Sequence, residues 1–268
     1  MKHHYVPQHY LRNFAGAEGK LFSFNKITGR FDIQGKTPAQ ILYVDDLHAL
    51  ETHGKKDFFI ETSLGTLEDL VKKFVNLISS RTDKELAELK KNPEYCNTLK
   101  LMLTIQFWRL PENAGLAHER SAHLLEMYDE SLSTGIWNSM PLPDRNEVRK
   151  WKKARDNKNV RKIIQFFGLP LISCRFDGTL PEGMEVLGND GGFDFICSDR
   201  PIYCQQFASD ISSADEIYFP LTKKVVVAKG PFATERDFNG IQLTLMENSR
   251  EKIYGSSVDL LRSCAFSR

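Results

Sequence analysis

Four short stretches of this 268-residue chain carry side chains that could act together in a reaction. His3 and His4 adjoin in "MKHHYVPQHYLRNF", Glu61 and Glu68 lie further on, Gln106 and Arg109 belong to "QFWRLP", and Ser198 and Asp199 adjoin in "FICSDRP". An imidazole moves protons or ligates metals near neutral pH when a second group orients it. Glu61 and Glu68 are spaced by two helical turns and so share one face, beside Leu64, Leu67 and Val71. That face turns at least one carboxylate inward, where it must meet a metal, an arginine or a proton. Arg109 sits in an otherwise apolar helix, keeps its proton, and must find an anion. That anion is Glu61 or Glu68 in an ion pair, or a ligand's phosphate or carboxylate with Gln106 beside it. Ser198 and Asp199 end an apolar strand before Pro201, a position suited to site residues on a rigid scaffold or to a plain Asx turn.

The elements that would position these groups can be read from pattern. Pro7 suits the first turn of a short helix running to Phe14, packed by Tyr10, Leu11 and Phe14, with the histidines at its N-terminal mouth. "KLFSFNKITGRFDIQG" alternates around Thr28-Gly29 as a β-hairpin, and Thr37-Pro38 opens a short helix. From Asp57 to about Arg161 the period is helical, with Phe59, Leu64, Leu67, Leu70, Val71, Phe74, Leu77 and Ile78 as a buried stripe. "LKLMLTIQFWRL" is apolar nearly all round and reads as the central buried helix, stopping at Pro111. "PENAGLAHERSAHLLEMYDESL" reads as a second long amphipathic helix, and a basic helix follows the "MPLP" break. From Gly168 the texture is β, in "LPLISCRF", "FDFICSDRPIY" and "EIYFPLTKKVVVAKG", with "NDGG" as a turn, and "GIQLTLMENSREKIYG" returns to helix. The expectation is an α+β fold: a helical middle, an N-terminal β-hairpin and a mainly antiparallel C-terminal sheet. It forms a single domain over 1–268, with a motif and hairpin over 1–56, a helical part over 57–165 and a β-rich part with a C-terminal helix over 166–268.

Composition excludes several classes. The formal charge of +1 announces no global polyanion-binding field. No apolar run is long enough for a membrane span, and the N-terminus lacks a signal-peptide pattern. Five scattered cysteines without a C-x-x-C argue against a zinc finger or a disulfide framework and for a cytoplasmic protein. No phosphate loop, dinucleotide fingerprint, H-E-x-x-H or G-x-S-x-G is present. His118 and His123 point to different sides of a helix and cannot easily share a metal.

The motifs "HHYVPQHYLRNF", "ETSLGTLE", "QFWRLP", "FICSDRP" and "YFPLT" together resemble a widespread, mainly bacterial family catalogued only as a domain of unknown function. The resemblance covers most of the chain. It implicates His3, His4, Tyr5, Pro7, Tyr10, Leu11, Phe14, Glu61, Glu68, Gln106, Arg109, Pro111, Ser198, Asp199, Pro201, Pro220 and Leu221, and Arg200 is a minor departure from its S-D-x-P pattern. It groups residues without supplying a chemistry.

The grouping leads to an expectation of one pocket. Its catalytic residues would be His3, His4, Glu61, Glu68, Gln106, Arg109 and Asp199. Tyr5, Ser198, Arg149 and Lys153 would bind substrate, the last two from the basic run of residues 145–162. His4, Glu61 and Asp199 could hold a divalent metal, an N/O set suited to Mn²⁺, Mg²⁺ or Zn²⁺. Such parts suit a phosphodiester hydrolase, nuclease-like and of use in bacterial defence or as a toxin, whose partner is nucleic acid or another phosphate-bearing ligand. The alternatives are a non-catalytic binding module in which the same residues are structural, or an enzyme modifying a nucleotide or small molecule.

Overall fold

The computed structural model describes residues 1–132, 143–189, 191–207 and 209–266. Met140, Pro141 and Leu142 of "MPLP", and Asp190 of "NDGG", lie outside them. The fold is α+β, and every strand pairing among the described residues is antiparallel. One four-stranded sheet has the order Glu185–Gly188, Val225–Lys229, Ile217–Pro220, Tyr203–Cys204.

The predicted hairpin forms from Leu21–Asn25 and Arg30–Lys36. Asn25 Oδ1 accepts from the amides of Ile27 and Thr28, and Gly29 takes the positive φ of 68° that the turn needs. The hairpin is not a separate N-terminal unit. Its first strand pairs with Lys252–Gly255, which pairs with Cys197–Ser198, so both chain ends build one second four-stranded sheet.

The N-terminus differs from expectation in an informative way. The helix Gln8–Arg12 follows Pro7 as foreseen, but His3 and His4 lie on a strand, Lys2–His4, paired with Tyr43–Asp45 rather than at the helix mouth. Tyr10 stacks on Phe219 and donates its hydroxyl to the Pro220 carbonyl at 2.7 Å, tying this end to the first sheet.

The long helix Phe59–Ile78 buries Ile60, Leu64, Phe74, Val75 and Ile78, whereas Phe59, Leu70 and Leu77 are exposed, a face rotated from the predicted stripe. The central helix Pro93–Arg109 is buried almost all round. Asn92 caps its start, and its one buried lysine, Lys100, is satisfied by the Arg175 carbonyl at 2.6 Å and Asp177 at 2.7 Å. The second long helix is broken into Ala114–Arg120 and Leu124–Leu132 by a tight turn at Ser121–His123, where Ser121 Oγ donates to the His118 carbonyl. The basic run is likewise two helices, Arg145–Lys153 and Lys158–Ile163, the second restarted by the Asn157 cap.

"LPLISCRF" is not a strand. A five-residue π-helical turn, Ile164–Gly168, leads into the short helix Leu169–Ile172, whose residues are all buried. A short apolar run buried on every side has no period with which to tell helix from strand, and Pro170 in a first helical turn costs nothing. "GIQLTLMENSREKIYG" divides into a helix, Phe238–Asn248, and the strand Lys252–Gly255, before a last helix Val258–Phe266. The five cysteines are unpaired, and no helix among the described residues is long and apolar enough to cross a membrane.

Candidate active site

The pinned N-terminal strand delivers His3 to a residue that the sequence pattern did not single out, His48. The two imidazoles stack with centroids 5.3 Å apart and planes 20° from parallel, and both are fully buried. His48 Nδ1 lies 2.6 Å from Glu61 Oε2, and the His48 backbone N–H donates to His3 Nδ1 at 2.8 Å.

Burial pushes the His48 imidazole down to about 4, despite the opposing pull of Glu61, and lowers His3 as well. Burial alone would raise Glu61, but the His48 hydrogen bond and the Arg109 charge leave it below the usual carboxylate range. Both rings are therefore neutral at neutral pH and Glu61 is ionised, which fixes the tautomers. His48 must carry its proton on Nδ1 to donate to Glu61, leaving a lone pair on Nε2. His3 accepts at Nδ1, so its proton is on Nε2. Neither Nε2 has a hydrogen-bond partner among the described residues. One buried acceptor and one buried donor are thus carried on two stacked rings.

The turn bearing His48 is held from two sides. Asp46 adopts a left-handed φ of 56°, and Lys162 Nζ donates to the carbonyls of Asp46 and Ala49 at 3.0 and 2.7 Å. Phe166, set by the π-helical turn, meets the His48 ring edge-on at 4.7 Å. Phe166 and Leu47 also line a cavity of about 390 Å³, together with Arg155, Lys158, Arg161 and Lys162.

A second cluster surrounds Glu68. Arg109 Nη1 donates to Glu68 Oε1 and Arg109 Nε to the His4 carbonyl at 2.8 Å, while His9 Nδ1 lies 3.3 Å from Glu68 Oε2. Burial alone would raise the Glu68 carboxyl, but the Arg109 charge and the His9 and Arg109 hydrogen bonds bring it down to about 2. Gln106 Nε2 donates to the Tyr5 carbonyl at 3.3 Å. Gln106 and Arg109 therefore grip the backbone of residues 4 and 5, and through it position His3. The His4 ring packs beside Tyr43 with its Nε2 buried and without a hydrogen-bond partner among the described residues.

The structure does not bring Asp199 into this group. Its two oxygens accept from the amides of Arg250, Glu251 and Lys252 at 2.8–2.9 Å, holding the turn before the strand Lys252–Gly255. Ser198 is buried and its Oγ accepts from the Arg200 amide, so the "SDRP" stretch is a structural turn. Arg149 and Lys153 lie exposed on the first basic helix, and neither lines the cavity beside His48. Tyr5 lies close enough to Asp199 for that charge to add to burial in raising its phenol. Asp199→Ala strands three amides and should destabilise the fold by roughly 1–3 kcal/mol. A thermal melt checks this, and turnover per folded molecule should not change.

A metal at His4, Glu61 and Asp199 is corrected by the same geometry, since Asp199 is elsewhere. His3, His48 and Glu61 do place one nitrogen or oxygen each within 4.8 Å of the others. However, 2.6 Å between His48 and Glu61 is a hydrogen-bond separation, whereas two ligands of one octahedral ion at about 2.1 Å stand roughly 3 Å apart. His3 Nδ1 is occupied by an amide as well. As built, the cluster suits proton transfer.

A pH dependence follows. The folded pKa of His48 lies below its unfolded value near 6.5, so the unfolded chain binds the extra proton first. Stability should be full above about pH 6.5 and fall toward pH 4 by on the order of 3 kcal/mol from this group. His48→Gln should flatten that segment of a denaturant-unfolding series taken from pH 7 to pH 4.

Sequence reasoning missed His48 and gave no role to His9. "DLHAL" places a single histidine in an apolar run, and no spacing links it to Glu61. Only the pairing of residues 2–4 with residues 43–45 brings His48 over His3. No curated protein and no solved structure matches the chain. A family model does, over nearly all of it, including every segment that meets at Glu61 and Glu68. With residues 2–257 matched, the chain belongs to the family described as "Protein of unknown function (DUF4238)".

Proposed function

We propose that the chain is a phosphodiester hydrolase, nuclease-like, that works by histidine acid–base chemistry at His48. The observation that carries this reading is the stacked His3–His48 pair, one ring with a free acceptor and the other with a free donor, backed by the cavity lined with four cations. In this reading His48 Nε2 removes a proton from the attacking water as its oxygen bonds to phosphorus. Glu61 stabilises the imidazolium through the Nδ1–H. His3 Nε2–H donates to the oxygen that gains charge. The imidazolium then returns the proton to the leaving oxygen as the P–O bond breaks, giving a phosphomonoester and an alcohol. A bound phosphate would also raise the His48 pKa toward the working pH.

The test is hydrolysis of single-stranded RNA, single-stranded DNA and an activated phosphodiester by wild-type protein treated with EDTA. A second reading, a binding module whose polar residues pin the N-terminus, is favoured by the complete burial of both rings and by the structural duties of Arg109 and Asp199. No turnover on any of the three substrates, either in EDTA or with Mn²⁺ or Zn²⁺ added back, would decide for it.

A further inference from the structure

The cavity beside His48 has two kinds of wall. Leu47, Ala114, Ala117, Ile164 and Phe166 give an apolar side, and Arg155, Lys158, Arg161 and Lys162 a cationic one. A volume of about 390 Å³ lies within the range of small-ligand sites, roughly 300–1,000 Å³.

The cations are poorly compensated. Arg155 and Lys158 make no side-chain hydrogen bond or ion pair among the described residues, and Lys162 donates only to backbone carbonyls. Arg161 reaches the Arg155 carbonyl and, at 3.4 Å, Asp156, a carboxylate that is 81% exposed. His118, also on the wall, has its Nε2 3.6 Å from Asp156 and a buried Nδ1 without a hydrogen-bond partner among the described residues. Burial and the nearby Lys158 charge hold the Lys162 ammonium below its ordinary range. Four positive charges line one hollow, and the carboxylates near them among the described residues are the exposed Asp156 beside Arg161 and, acting on Lys162, Asp46 and Glu51; the cationic surplus calls for an anion.

We propose that this cavity binds a nucleoside monophosphate unit, its phosphate on Arg155, Lys158 and Arg161 and its base and sugar against Leu47, Ala114 and Phe166. The unit is either a free nucleotide or the phosphorylated end of a strand. The choice of a nucleotide rests on the hydrolase reading, but the binding itself does not need His48.

Isothermal titration with AMP, inorganic phosphate, and matched 5′-phosphorylated and 5′-hydroxyl RNA oligonucleotides tests it. Wild type should bind AMP more tightly than phosphate. The double variant Arg155→Ala/Lys158→Ala should weaken AMP about a hundredfold, a tenfold loss for each charge-assisted contact. Gly115→Leu keeps every charge and puts bulk on the cavity wall at a helical position where a new Cβ meets no atom within 4 Å, so it should fold and lose AMP. Preference for the 5′-phosphorylated oligonucleotide over AMP assigns the strand end as the source, and the reverse order assigns the free nucleotide. Wild type that binds none of the four probes, or a double variant that binds AMP unchanged, overturns the proposal. AMP binding with this pattern in a protein without hydrolytic turnover leaves the site standing and removes the hydrolase reading alone.

Discussion

His48→Gln is expected to keep the fold and to lower phosphodiester hydrolysis about 10²–10⁴-fold, the usual contribution of a positioned general base. Glutamine retains a side-chain N–H for Glu61 but cannot take up a proton at the position of Nε2. The substitution therefore removes the proton transfer while sparing the carboxylate a lost partner. Glu61→Gln should give a smaller loss, because the base survives but its imidazolium is no longer stabilised by charge. Melts and circular dichroism of both variants separate a catalytic effect from misfolding. A His48→Gln protein with wild-type turnover would remove His48 from the reaction.

Arg109→Ala should show the largest stability effect, roughly 3–5 kcal/mol, the range for breaking one side of a buried ion pair. The guanidinium is 2% exposed and serves two acceptors at once, Glu68 and the His4 carbonyl. Its loss leaves a half-buried carboxylate beside His9 and frees the strand that carries His3. Arg109→Lys should recover little, since one ammonium cannot reproduce two N–H groups of a planar fork. Glu68 adds an acid sensitivity of definite sign. Its folded pKa of about 2 lies below the usual carboxylate value, so its contribution is present at neutral pH and fades as pH falls from about 4.5 toward 2. Denaturant melts of Arg109→Ala should show a smaller acid segment, the part that His9 sustains.

The hairpin, the Thr37-Pro38 turn and the central helix were legible because their signals are local. Asn25 and Gly29 set a turn, and an all-round apolar run marks a buried helix. The association of the N-terminal histidines with Glu61, Glu68, Gln106 and Arg109 was also legible, as residue types that need one another when buried. What escaped was set by tertiary pairing. The strand Lys2–His4 exists because Tyr43–Asp45 offers it a partner, and that pairing makes His48 the centre of the cluster. Asp199 looked like a site residue because its chemistry is the same whether it faces a substrate or three backbone amides. The cations of the cavity come from the restarted helix Lys158–Ile163 and the turn before it, not from Arg149 and Lys153, because the break at Ala154–Asn157 redirects the basic run.

In the hydrolase reading a neutral His48, oriented by Glu61, is the base of a hydrolysis that needs no metal. That role is tested most directly by the pH dependence of kcat/KM for a single-stranded phosphodiester substrate in excess EDTA. Turnover should survive chelation, with an acid limb near pH 4 where the free protein's His48 takes up its proton, and no such limb in the residual rate of His48→Gln. Turnover abolished by EDTA and restored by Mn²⁺ or Zn²⁺, or an acid limb that His48→Gln leaves in place, would contradict it.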